Sequence, residues 1–76
     1  MIKITGTNTF IDVEIDGRTV RIQGEMGAGT FLCLKDSIQE WLVPAGKKIS
    51  DDDKKMIIQR VTEKTAGSHL VISFDD

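Results

Sequence analysis

The stretch Phe10-Ile11-Asp12-Val13-Glu14-Ile15, followed by Asp16-Gly17 and then Arg18-Thr19-Val20-Arg21-Ile22-Gln23, reads as a β-hairpin. Apolar and polar residues alternate on both sides of the Asp-Gly pair, and period two marks a half-buried strand. Ile11, Val13 and Ile15 face one way and Asp12 and Glu14 the other; beyond the turn, Val20 and Ile22 face inward while Thr19, Arg21 and Gln23 face water. A two-residue Asp-Gly link is the strongest short-range hairpin signal, because a type I′ turn needs positive φ at both central residues. The hairpin brings Asp12 and Glu14 opposite Thr19, Arg21 and their neighbours, so an acid–arginine pair across the strands is expected.

Working outward, Met1–Thr5 reads as a first strand with Ile2 and Ile4 on one face, and Gly6–Thr9 as a turn. Gly24–Gly29 (GEMGAG) is a flexible connection or a bulged strand end. Thr30–Lys35 is a fourth strand, apolar on both faces through Phe31, Leu32, Cys33 and Leu34, which suggests a central position. Asp36–Val43 either extends that strand past a bend or forms a short helical turn around Trp41; Pro44–Lys48 is a loop. Ser50–Ala66 is the one helix, with Ser50 as N-cap, Asp53 in the capping-box position, and Ile57, Ile58, Val61 and Thr65 on a single stripe. Asp51, Asp52 and Asp53 suit the positive end of the helix dipole, and Gly67 is placed to end the helix in a left-handed conformation. His69–Phe74 closes the chain as a strand, which can lie parallel to one neighbour. The order β-β-β-β-α-β, with one striped helix and hairpin-length links, predicts a two-layer α+β fold: a mostly antiparallel sheet carrying the helix on one face.

At 76 residues the chain is expected to form a single domain, residues 1–76. Ile and Val number 15 against 7 for Leu and Met, a lean towards sheet. No apolar run approaches the ~18 residues of a membrane span, and no charged segment leads into an apolar one at the start. With a single cysteine and no such leader, a cytoplasmic protein is expected. The net charge of −2 gives no general attraction to nucleic acid, and the acidic excess lies in the second half, in Asp51–Asp53 and Asp75–Asp76.

No catalytic set stands out. The glycines of GEMGAGT lead into a strand, whereas a phosphate cradle leads into a helix. Cys33 and His69 are the only soft metal ligands, too few for a structural zinc site, and nothing places an orienting group beside them for nucleophilic catalysis. Neither metal nor cofactor is expected. Consecutive acids in SDDDKK lack the alternation of a calcium loop and read as helix capping, with contact to a partner as a second role. Trp41 stands between a core and an interface reading, since Trp is enriched at binding hot spots. Asp12 and Glu14 keep the outer face of the sheet wet or form half of a complementary charged patch. The candidate partner-binding residues are therefore Asp12, Glu14, Trp41, Asp51, Asp52 and Asp53.

MIKITGTNTFIDVEIDGRTVRIQGEM, LKDSIQEW, the proline loop and ISDDDKKMIIQRV with its closing strand together resemble the immunity protein 74 family of bacterial polymorphic-toxin systems, over nearly the full length. FIDVEIDGRTVRIQGE and KDSIQEW carry most of the resemblance. It implies a non-enzymatic inhibitor that binds a cognate toxin domain tightly in the producing cell's cytoplasm; it marks no contact residues. A second expectation is a small homo-oligomer, such as a homodimer, or an accessory subunit that covers the second face of the 31–34 strand. A third is a small enzyme using Cys33 and His69.

Overall fold

A computed structural model describes residues 1–75. Asp76, part of the C-terminal acidic pair, lies outside them. Five strands form one curled sheet in the order β1-β2-β3-β4-β5: β1 (Ile2–Gly6), β2 (Phe10–Ile15), β3 (Arg18–Met26), β4 (Thr30–Cys33) and β5 (Val71–Phe74). A 3-10 turn, η1 (Lys35–Ser37), follows β4, and helix α1 (Asp51–Thr65) precedes β5. The first three pairings are antiparallel; β5 returns after the helix and pairs parallel to β4, Phe31 opposite Ile72 and Cys33 opposite Phe74. This is the α+β architecture expected from the pattern.

The hairpin forms for the reason anticipated. Asp16 and Gly17 take φ of 51° and 85°, the paired positive values of a type I′ turn. Its register sets Ile11 opposite Ile22, Val13 opposite Val20 and Asp12 opposite Arg21.

β3 runs three residues beyond the expected end, and this extension curls the sheet. Residues 18–23 pair with β2, whereas Gly24, Glu25 and Met26 pair with β4. Gly24 faces the core, where a Cβ would run into the Leu32 carbonyl and the Phe31 ring. The glycine therefore permits the close approach on which the β3–β4 seam depends.

β4 is interior in the sheet order, but its two faces differ. Phe31 and Cys33 are wholly buried, whereas Leu32 and Leu34 are 44% and 45% exposed. The central position suggested by the sequence holds, and the second face stays bare because the single helix covers only the other. The strand is also shorter than expected: the chain leaves it after Cys33 and turns through η1, centred on Asp36 rather than Trp41. Ser37 holds that turn against β3, its Oγ accepting from Gln23 N at 2.9 Å and donating to Leu34 O at 2.7 Å.

Residues 39–49 form an arm folded back on itself. Trp41 N donates to Lys47 O and Ile49 N to Gln39 O, both at 2.8 Å. The arm docks on the first half of β3, where Thr19 N donates to Val43 O at 2.9 Å and Leu42 N to Thr19 O at 2.7 Å. It thus occupies the place beside β3 that β4 does not reach. The Val43–Pro44 peptide bond is cis.

Helix α1 begins as its sequence suggests. Ser50 Oγ accepts from Asp53 N at 3.1 Å, but the Asp53 carboxylate turns to Arg18 and does not complete a reciprocal capping box. Gly67, at φ 77°, follows the helix end. The helix buries Ile57, Val61 and Thr65 against Ile11, Val13, Ile15, Val20, Ile22, Phe31, Cys33 and Ile72, with Ile38 and Trp41 closing the core. Thr65 ties the helix to β5: its Oγ donates to Val61 O at 3.0 Å and accepts from Ile72 N at 3.1 Å.

Candidate functional site

Each acid and aromatic named from sequence occupies a distinct setting. Asp12 points outward from β2 and takes a two-point grip from Arg21, with Nε to Oδ1 at 2.8 Å and Nη2 to Oδ2 at 3.0 Å. That guanidinium also lies over the Phe10 ring, 4.1 Å from its centre. The hydrogen bond to Asp12 raises the pKa of Arg21 further, so the guanidinium stays charged at any ordinary pH. Glu14 is exposed on the same face, across from Lys3 on one side and Thr19 on the other. Asp51 and Asp52 are exposed at the helix start, in the other layer of the molecule. The structure therefore brings Asp12 and Glu14 together, and Asp51 and Asp52 together, but not the two groups.

Trp41 is 5% exposed and belongs to the core. Its ring lies under the Arg18 guanidinium, 4.4 Å from ring centre to Cζ. Arg18 Nη1 also meets Asp53 Oδ2 at 3.3 Å. The first residue of β3, the arm and the first turn of the helix are thus joined through one side chain. Arg18 escaped notice in the sequence, although its parity with Val20 and Ile22 places it on the helix-facing side, where a guanidinium requires partners.

The chemistry of catalysis finds no assembly. Cys33 is wholly buried, and burial, with a smaller push from Asp75, raises its thiol to about 12, so no reactive thiolate forms near neutral pH. His69 is exposed in the turn before β5, whereas Cys33 pairs with Phe74 at the far end of that strand. Among the described residues no three His, Cys, Asp or Glu side chains gather as a metal site. The most apolar hollow, about 200 Å³, opens between Ile4, Ile11, Met26, Phe31, Leu70 and Ile72; no acid, base or thiol lines it. Among the described residues no helix is long and apolar enough to cross a membrane.

What distinguishes the surface is its exposed apolar side chains. Leu32, Leu34 and Val71 (38% exposed) stand on the outward face of β4 and β5, and Leu42 (42%) and Val43 (53%) on the arm. Sequence reasoning saw that the second face of the 31–34 strand needs cover; among the described residues no second layer supplies it, and Leu32 and Leu34 stand bare.

The comparisons with known proteins bear on what this surface serves. No curated protein and no solved structure matches the chain. The family model described as Immunity protein 74 matches residues 3–75, from within β1 to beyond the end of β5. Because that match takes in every strand and the helix, the chain belongs to the Immunity protein 74 family.

Proposed function

We propose that this protein is a non-enzymatic inhibitor that binds and neutralises a cognate toxin domain, acting in the cytoplasm of the bacterium that makes the toxin. The match to the Immunity protein 74 family over residues 3–75 carries this reading. The chemistry of the chain agrees with it: a rigid core, a buried and protonated thiol, and free carboxylates at the surface. Inhibition of this kind acts by occlusion, with the inhibitor's surface covering the toxin's working face.

Among the residues proposed for partner contact, Glu14, Asp51 and Asp52 present carboxylates with no cation in salt-bridge reach among the described residues. These three are suited to steering a basic toxin, which acts mainly on the association rate. Asp12 and Asp53 already hold Arg21 and Arg18, and Trp41 supports the arm from below, so their effect on binding runs through the shape of the surface.

The test is recovery of the tagged full-length protein from its native cell, with mass spectrometry and stoichiometry. A one-to-one complex with a toxin-domain protein, whose toxicity co-expression suppresses, is the expected result. Recovery of the protein alone from cells expressing the neighbouring toxin would overturn the reading. Self-association is the second reading, favoured by the bare Leu32, Leu34 and Val71; light scattering of the purified protein separates a monomer from a dimer.

A further inference from the structure

The outward face of the sheet divides into two unlike halves. On β1, β2 and the first half of β3 the outward face is polar: Asp12 grips Arg21, and Lys3 and Glu14 occupy facing positions in the register without an ion pair among the described residues. On β4 and β5 the face is apolar and bare. Leu32 stands opposite Glu25 on β3 and Ser73 on β5, Val71 lies one step along β5, and Leu34 follows two residues on, its N–H donating to Gln23 O at 2.8 Å. Side chains two residues apart along a strand share a face and lie ~7 Å apart, so Leu32 and Leu34 share the outward face, and Val71, opposite Thr30 on β5, stands diagonally from Leu32 on that same face.

The exposed charges beside this patch are acidic. Glu25 is exposed directly across from Leu32, and Asp36 is exposed in the turn just past Leu34. Neither has a cation in salt-bridge reach among the described residues, in contrast to Asp12 on the other half. Lys35, half-buried, is the one cation in the adjoining turn.

We infer that the outward face of β4 and β5, centred on Leu32, Leu34 and Val71 and edged by Glu25 and Asp36, is the surface that closes on the toxin, and that its occupant is a protein surface with an apolar centre flanked by Lys or Arg. This inference rests on the toxin-binding reading above. A second copy of the chain is the poorer occupant, because pairing two such patches sets acid-edged surfaces against each other with only the half-buried Lys35 of each copy to answer them. A basic partner answers both features: it covers apolar area that no part of this chain covers, and it supplies the cations that Glu25 and Asp36 lack.

The experiment uses the full-length protein in its native cell, with a photo-crosslinking residue placed in separate variants at Leu32, Glu14 and Asp52. Circular dichroism first establishes that each variant keeps its fold. The expected result is a crosslink from position 32 to the toxin-domain protein recovered with the unmodified chain, mapped to a toxin segment containing Lys or Arg. Leu32→Lys should then weaken the complex with that same toxin by about 30-fold or more, chiefly through faster dissociation. Crosslinks to the toxin from position 14 or 52 but not from 32 would overturn this assignment and leave the toxin-binding reading standing. A crosslink from 32 to a second copy of the chain would replace the toxin with self-association as the occupant. Failure to recover a toxin with any variant or with the unmodified chain would overturn both.

Discussion

The helix-facing side of the sheet holds Val13, Ile15, Val20, Ile22, Phe31 and Cys33 with no exposure at all, whereas the outward side leaves Leu32 and Leu34 nearly half bare. Both sides belong to the same strands, and in β4 they alternate residue by residue. The difference arises from cover. One helix of 15 residues can shield one face, and the described residues supply no second layer for the other. Apolar residues on the shielded face stabilise the fold; those on the bare face do little for the isolated molecule and become useful only when a partner removes them from water. Under the proposed binding role, exposed leucines beside an intact core separate affinity from stability.

Substitutions should break this comparison unequally. Phe31→Ala, on the shielded side, empties the largest fully buried position and should cost about 3–5 kcal/mol. For a domain this small that equals most or all of the stability, so chemical denaturation should show a folded population that is small or absent. Cys33, also on the shielded side, should add a pH dependence. Its thiol is raised from 9.0 to about 12 in the folded chain, so between those values the unfolded chain releases a proton that the folded chain keeps. Stability should therefore be unaffected by this group below pH 9 and fall as pH rises towards 12. Denaturation midpoints of the native protein and Cys33→Ala, measured from pH 8 to 11, test the sign: the native protein should lose the more across that range.

At the rim between the two sides, Arg18→Ala removes the guanidinium from over Trp41 and frees Asp53. A loss of about 1–2 kcal/mol is expected, together with faster amide exchange in the arm, because the stack and the half-exposed ion pair each contribute modestly. Loss of stability with unchanged exchange around residues 41–43 would show that Arg18 does not hold the arm. On the bare side, Leu32→Ser should change stability by no more than about 0.5 kcal/mol. A loss above 2 kcal/mol would mean that this side chain supports the fold, and the division between the two faces would fail.

The legible parts of the molecule share one property: their instructions are local. Asp16-Gly17 between alternating runs specified the hairpin, its turn type and the Asp12–Arg21 pair, because each depends on residues fewer than ten positions apart. Ser50 and Gly67 marked the helix ends for the same reason. The acids at the helix start and on the hairpin were also visible as charges, but their engagements were not. Asp53 could have closed a capping box on Ser50; Arg18, 35 residues away, takes its carboxylate instead. Nothing in the residues around Asp53 announces that competition.

Residues 34–49 mark the opposite limit. Their conformation follows from docking against β3, where Thr19 offers its backbone groups to Val43 and Leu42, and from Trp41 finding a place beneath Arg18. Neither contact has a local period or turn signal, so strand extension and a helical turn read equally well from the sequence. The bare patch on β4 and β5 is of the same kind. Alternation shows that Leu32 and Phe31 face opposite ways, but which face the helix covers is settled only when all five strands and the helix are assembled. By itself, then, the sequence determined the elements, their order, the hairpin and the helix caps, because these depend on short-range periodicity and backbone sterics. The tertiary structure alone decided the curl through Gly24, the course of the arm and the exposure of Leu32, Leu34 and Val71, because each depends on groups distant in the chain competing for the same core and the same backbone hydrogen bonds.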